Sequence, residues 1–376
     1  MKTLILSVFM LLPIAGFAQI SLQKELNMFR AGDVTVKQQI GYKDPGRSGV
    51  NVLWDFSRME VVDAEHEVSC FSYNDTLITV AEHILQSHYT LQNDSLLLWG
   101  FDGHVTELHD VQPELLLKFP VHYGDTARSC FYAHGKHGNR LELDAMGRTE
   151  TAADSYGMMI LPGGDTLRNV LRTHTLKYIA ETVRPIGDEY YEKRDNPLHI
   201  SPDSIDFRLA SDSVIFISET FRWYSKGYRY PVFETVRSWE RHPNNHNYEF
   251  VAAAFFYPPQ NHYYLENDAD NLALLEEAEV DTVNDTWTGL TYNIFPNPVR
   301  SGSLEVEMYL PKTVNNIRVQ LHGSMGLIAY SEEKGSRNAG IYGFQVPVAG
   351  LPVGNYIFDI WLDDKQINEI IMVRSF

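Results

Sequence analysis

Histidines, carboxylates, thiols and hydroxyls are the side chains here that could do chemistry, so their spacing comes first. His134 and His137 (HGKH), His242 and His246 (HPNNH) and the nearby His262 suggest metal ligation. Zinc needs three or four ligands converging on a tetrahedron. Glycine and proline within these pairs imply turns, whereas the two-histidine zinc motif aligns its rings on a helix. The five read as surface-loop histidines, and no metal is expected. Asn267, Asp268, Asp270 and Asn271 partly resemble a calcium loop, but the turn glycine and the distal bidentate glutamate are missing. They read as solvated charge. His322-Gly323-Ser324-Met325-Gly326 carries histidine where a nucleophile elbow begins with glycine. Cys70 and Cys130 lack both the spacing of a redox or zinc pair and the surroundings of a catalytic thiol. A pair of glycosidase acids is defined by separation in space, so sequence spacing does not expose it. No catalytic residue, cofactor or metal is assigned.

The aromatic residues allow a different function. Phe221, Trp223, Tyr224, Tyr228, Tyr230, Phe233 and Trp239 are densely placed. Exposed, such rings would form platforms for the CH faces of a sugar. Buried, they would fill a core and make cross-strand pairs, which is the reading preferred here.

These residues sit in a chain of 376 with 44% hydrophobic residues, enough for two or three domains. Aromatic content is 12%, with 21 Tyr and 19 Phe, which favours strands over helices. The formal charge of −18 offers no footprint for a phosphate backbone, so nucleic acid is not an expected partner. Residues 19–265 form the body. Short alternating runs with turn signals recur through it: Tyr89–Gln92 and Leu96–Phe101 about Asn93-Asp94, the Asp102-Gly103 turn, Leu115–Val121, Arg140–Ala145, Val170–Ile179, Val232–Trp239 and Tyr248–Tyr257. Long helical periodicity is absent, and Pro185–Asp206 reads as a loop. The expected fold is all-β: a large antiparallel β-sandwich body followed by a small immunoglobulin-like β-sandwich.

Residues 266–291 read as an acidic linker. Eight acidic residues fall between Glu266 and Asp285, and neither Lys nor Arg occurs from His242 to Val299. One or two helical turns are expected over Leu272–Ala278. Residues 292–376 then carry six or seven short strands. Leu304, Val306, Met308 and Leu310 alternate with Glu305, Glu307 and Tyr309, and Ile317, Val319 and Leu321 alternate with Arg318 and Gln320. This pattern predicts two packed antiparallel sheets.

The same stretch opens on Pro296-Asn297-Pro298. It continues through a strand ending at Leu321 before Gly326, then Leu351-Pro352-Val353-Gly354-Asn355-Tyr356, then a last apolar strand. In order and spacing it resembles the type A C-terminal sorting domain of the type IX secretion system of Bacteroidota. The motif residues are Pro296, Asn297, Pro298, Gly326, Leu351, Gly354 and Tyr356. The family's middle-turn signature is replaced by His322, Gly326 and Leu327, and the last strand holds one basic residue, Arg374. The resemblance implies recognition by an outer-membrane translocon, removal of the domain by a sorting protease, and release or attachment of the remainder at the cell surface. Two body segments, YKDPG at 42–46 with WDFS at 54–57, and DSYGMMILPGG at 154–164 with NVLR at 169–172, resemble recurrent stretches of uncharacterised secreted proteins of that phylum. They bring no activity with them.

The N-terminus agrees with export. Lys2 precedes an apolar run from Leu4 to Phe17, and the small residues Gly16 and Ala18 predict cleavage of a signal peptide, residues 1–18, before Gln19. That run is too short to span a membrane, and no later run suffices. An oxidising envelope permits a Cys70–Cys130 disulfide, and two free thiols are the other reading. The body is expected to be a non-catalytic module that binds a glycan or host-surface ligand or has a structural role; a secreted hydrolase of glycan or peptide is the second reading.

Overall fold

The computed structural model describes residues 20–374 apart from 75, 163–165, 188–198, 244–246, 285–286, 288, 301, 324–326 and 364. Ala18, Gln19, His246 and Gly326 therefore lie outside the described residues.

The body consists of β1 (Val34–Ile40), β2 (Gly49–Asp55), β3 (Val61–Ser72), β4 (Ile78–Glu82), β5 (Leu85–Gln92), β6 (Ser95–Asp102) and β7 (Thr106–Lys118), then β8 (Thr126–His137), β9 (Leu141–Ile160), β10 (Thr166–Pro185), β11 (Ile215–Ser225), β12 (Phe233–Arg241) and β13 (Asn247–Phe256). All except β2 form one antiparallel sheet in the order β10-β11-β12-β13-β1-β3-β4-β5-β6-β7-β8-β9. The other edge of β9 pairs with β10, so the sheet closes. The body is thus a closed barrel of twelve strands, and the expected sandwich is corrected. Alternation sets which side of a strand faces inward in either architecture. Closure depends on strand tilt and stagger, here carried by β9 and β10 at 20 residues each.

Local chemistry explains the connections. Asn93 and Asp94 take φ of 49° and 62°, the left-handed pair that a tight β5–β6 hairpin requires. Where β8 stops pairing with β9 at Ala152, β2 takes over in parallel from Ser155 to Ile160. Gly157 permits this approach, since a Cβ there would lie 1.9 Å from the Val52 carbonyl oxygen. β2 then lies over the outer face of β10–β13, burying Val52, Trp54 and Phe56 against Phe221, Trp223, Phe233 and Phe256. Arg172 locks this outer layer. It is 1% exposed, bonds Asp154 through two nitrogens at 2.9 and 2.7 Å, and donates to the Pro45 carbonyl at 2.5 Å. Its guanidinium also faces the rings of Trp54, Phe221 and Trp223. The two recurrent body segments noted in the sequence therefore meet at one buried ion pair.

One barrel mouth is plugged by the N-terminal segment and α1 (Lys24–Asn27), with Leu22 and Met28 packed against Leu96, Leu117, Phe119, Leu171 and Tyr224. Helix α2 (Pro202–Ser211) occupies part of the stretch expected to be a loop. Ser201 caps it, Pro202 starts it, and Ile205 and Leu209 cover the outer wall at Tyr132, Met146, Ala180, Ile215 and Ile217.

Helix α3 (Ala269–Asn284) replaces most of the expected linker and exceeds the one or two turns read from sequence. Its start is anchored. Asp268 accepts from Arg229 Nε at 2.7 Å, and Asn271 donates to the Leu26 carbonyl. Burial opposes the Asp268 charge, yet Arg229 and Asn271 hold its carboxyl below the usual range. Asp268 and Asn271 are therefore buried structural groups and not solvated charge, because an arginine some 40 residues earlier supplies their partner.

The C-terminal unit has β14 (Thr291–Phe295), β15 (Ser303–Leu310), β16 (Val314–His322), β17 (Ile328–Arg337), β18 (Gly340–Pro347), β19 (Gly354–Leu362) and β20 (Lys365–Val373). They form two antiparallel sheets, β14-β15-β18 and β17-β16-β19-β20. This is the expected small sandwich.

Candidate functional site

The C-terminal sandwich has its own core. Its buried residues run from Tyr292 to Val373, with Val306, Met308, Val319, Leu321, Phe358 and Ile360 fully enclosed and no barrel residue among them. The motif residues have clear roles in it. Pro296 and Pro298 lack N–H donors, and Asn297 substitutes with its side chain, donating to the Ile370 carbonyl at 2.8 Å and accepting from Met372 N–H at 2.9 Å. Val299 then bonds Met372 and Arg374. The lead-in is thereby stitched to β20. Tyr356 turns its hydroxyl back to the Pro352 carbonyl at 2.8 Å, fixing the Leu351–Gly354 bend, and Leu351 packs on the core. Pro296, Asn297, Pro298, Leu351, Gly354 and Tyr356 thus fall on two structural corners of one domain.

The contact between barrel and sandwich combines polar bonds with one apolar patch. Arg47 donates to the Asn293 side chain at 2.8 Å and to the Tyr292 carbonyl at 3.0 Å, and Asn293 donates to the Leu53 carbonyl at 2.6 Å. Burial lowers the pKa of Arg47. Tyr309 packs beside Leu53, Met158 and Ile160. A cleft of about 960 Å³ opens alongside, lined in part by Ile20, Asn51, Arg168, Trp287 and Lys365.

The barrel lumen holds charge where the sandwich holds hydrocarbon. Glu234 accepts from Arg222 at 2.5 Å, while Lys37 bonds Glu82 at 2.6 Å and lies 3.9 Å from Glu234. Burial would raise the Glu234 pKa, but Arg222 and Lys37 hold it below the usual range. A cavity of about 150 Å³ lies beside them, lined among others by Thr35, Tyr89, Tyr224 and Tyr257. The 37% of the Arg222 side chain that remains accessible faces this cavity. Burial pushes Tyr89 and Tyr224 up to about 12, so both keep their protons. Further along, Glu114 is held by Lys177 at 2.5 Å and Thr149 at 2.7 Å. Burial pushes nearby Asp110 up to about 8. Asp110 does not line the cavity, and Glu82, Glu114 and Glu234 each have a cationic partner. Glu82, Glu114 and Glu234 are thus neutralised by Lys37, Lys177 and Arg222, while Asp110 stands beside them as an acid that burial keeps protonated.

A scan against protein-family models finds no match, and a search of curated proteins finds no relative.

The remaining residues singled out in sequence scatter. His134 bonds Asp144 on the outer wall, and His137 bonds Thr106. His242 pairs with Glu240. His262 is buried, not on a surface loop: its ring bonds the Tyr264 hydroxyl and the Tyr257 carbonyl, and burial pulls it down to about 4. These four do not converge. Cys70 and Cys130 are free thiols, on β3 and β8. Burial raises Cys70 to about 11, an inert thiol. Phe221, Trp223, Tyr224, Tyr228, Tyr230 and Phe233 are all buried, so they form no sugar platform; Trp239 packs at the α2 cluster. Sequence reading passed over His88, Asp102, Glu107 and His109, which lie on three strands and carry no local motif.

Proposed function

We propose that the chain is a secreted protein in two parts. The C-terminal sandwich is a sorting domain read by a type IX outer-membrane translocon and removed by its protease. The barrel is the delivered cargo, a non-catalytic module with a binding or structural role at the cell surface. One observation carries this reading: the sandwich owns a complete apolar core free of barrel side chains, and it meets the barrel through a few polar bonds and one apolar contact at Tyr309. A unit built this way can be recognised and removed without unfolding its cargo. The pairing of Asn297 with β20 and the Tyr356 corner give rigid form to the motif residues that a translocon would read.

The barrel wall supports delivery to water over insertion in lipid. Outward positions carry His174–Glu219 at 2.9 Å and Arg237–Glu249 at 2.7 Å. Charged side chains at the lipid midplane of a barrel cost about 2–4 kcal/mol each. No described helix is long and apolar enough to cross a membrane. The balanced lumen supports a non-catalytic body over a hydrolase.

The test fuses residues 266–376 behind a signal peptide and a fluorescent passenger in a bacterium with a type IX system. The passenger is expected at the surface or in the medium, and Asn297→Ala with Tyr356→Phe is expected to retain it in the periplasm. Periplasmic retention of the unmutated fusion would overturn the reading.

A further inference from the structure

Asp102, Glu107 and His109 bring one ligand atom each within 4.8 Å of one another. They flank the β6–β7 hairpin, where Asp102 stands opposite Glu107 and Gly100 opposite His109. Two irregularities aim them. The register slips between Ser87 and Tyr89 on β5, and between Leu98 and Gly100 on β6. Gly100 takes φ 96° at the second, where a Cβ would lie 1.9 Å from the Leu108 carbonyl oxygen. Bulges of this kind re-aim side chains, and here they turn His88, Asp102 and His109 toward one point on the outer face.

Behind the exposed trio is a buried chain. The Thr79 hydroxyl is 2.9 Å from His88 Nδ1, and His88 Nε2 is 2.9 Å from Asp102 Oδ2. Thr79 is fully buried and His88 is 5% exposed. The other Asp102 oxygen is 3.4 Å from His109 Nε2. Metal-binding carboxylates and imidazoles are commonly held by such outer partners. An exposed surface ion pair would need no fixed histidine and threonine behind it.

We propose that Asp102, Glu107 and His109 bind one divalent transition-metal ion of the zinc class, with His88 and Thr79 as positioning residues. One imidazole nitrogen and two carboxylates suit zinc, whose tetrahedral ligands stand roughly 3.3–3.5 Å apart at bond lengths near 2.0–2.1 Å. Small side-chain rotations at the exposed Glu107 and His109 close the present spacing. Three protein ligands leave a fourth position for water or for a donor atom of a partner. On β8, Lys136 stands opposite Glu107 and His134 opposite His109; the Lys136 ammonium turns to solvent when the ion binds.

The test is calorimetric titration of ZnCl2 into the tag-free, chelator-treated chain, with metal content counted after dialysis. One equivalent per chain is expected. His109→Ala and Glu107→Gln, both exposed and so safe for folding, are expected to abolish uptake. Thr79→Val is expected to weaken binding about 10- to 100-fold while the metal-free melting temperature stays put, which separates positioning from general stability. Should Thr79→Val lower the metal-free melting temperature, His88→Gln with an unchanged melt would supply the same comparison. Substoichiometric uptake by the unmutated chain, or equal uptake by a His109→Ala/Glu107→Gln double variant, would overturn the proposal.

Discussion

The barrel and the sandwich solve the same problem, burying the inward faces of short antiparallel strands, with opposite materials. The sandwich encloses Val, Leu, Ile, Met and Phe and needs no partner chemistry. The barrel encloses Arg222, Glu234, Lys37, Glu82, Glu114 and Lys177, each of which must find another. An apolar core is tolerant of its surroundings, because every neighbour suits it. A polar lumen is demanding, because an ion left without its partner is costly. The sandwich is therefore the part suited to being a portable address. The barrel depends on all its strands at once.

Phe358→Ala should give the largest effect, about 3–5 kcal/mol off the sandwich. Denaturant unfolding followed by separate probes should show the barrel transition unmoved; a barrel that melts with it would deny the independence of the two cores. Glu234→Ala should follow at about 2–4 kcal/mol off the barrel, since it strands Arg222 while Lys37 keeps Glu82, with the adjoining cavity admitting some water. Replacing Arg222 and Glu234 together by Met and Leu should recover most of that loss. Failure to recover would mean the pair does more than neutralise itself.

Acid should also separate the two regions. His262 stays neutral in the folded barrel down to about 4, whereas the unfolded chain protonates it near 6.5. The stability it contributes is complete above pH 6.5 and is lost as pH falls towards 4, by up to about 3 kcal/mol. His262→Gln should flatten the barrel's stability profile over that window and leave the sandwich's unchanged. The smallest effect is expected at the joint. Asn293→Ala should cost about 1–2 kcal/mol, seen as faster hydrogen exchange at β2 and β14 with both cores intact.

The same contrast explains what could be read in advance. Leu304–Leu310 and Ile317–Leu321 alternate cleanly because one face of each strand is wholly apolar, so the sandwich and its strand count were legible. In the barrel, Thr173, Thr175 and Lys177 point inward on β10 and Arg222 and Tyr224 on β11, so polarity no longer marks the outside. Closure through β9 and β10 left no local trace. The Asp268–Arg229 bond that turns a linker into an anchored helix joins residues far apart in sequence. Asp102, Glu107 and His109 are close in sequence, on the β6–β7 hairpin, yet their meeting with His88 stayed hidden because two bulges set which face each side chain takes.

The most direct measurement is mass spectrometry of both termini of the native protein, taken from surface, periplasmic and cytoplasmic fractions. The account predicts a surface or released species that begins at Gln19 and ends between residue 266 and Pro296, barrel intact and sandwich gone. A mature protein that keeps its C-terminus at Phe376 in the periplasm would contradict it and make the sandwich a working part of the molecule.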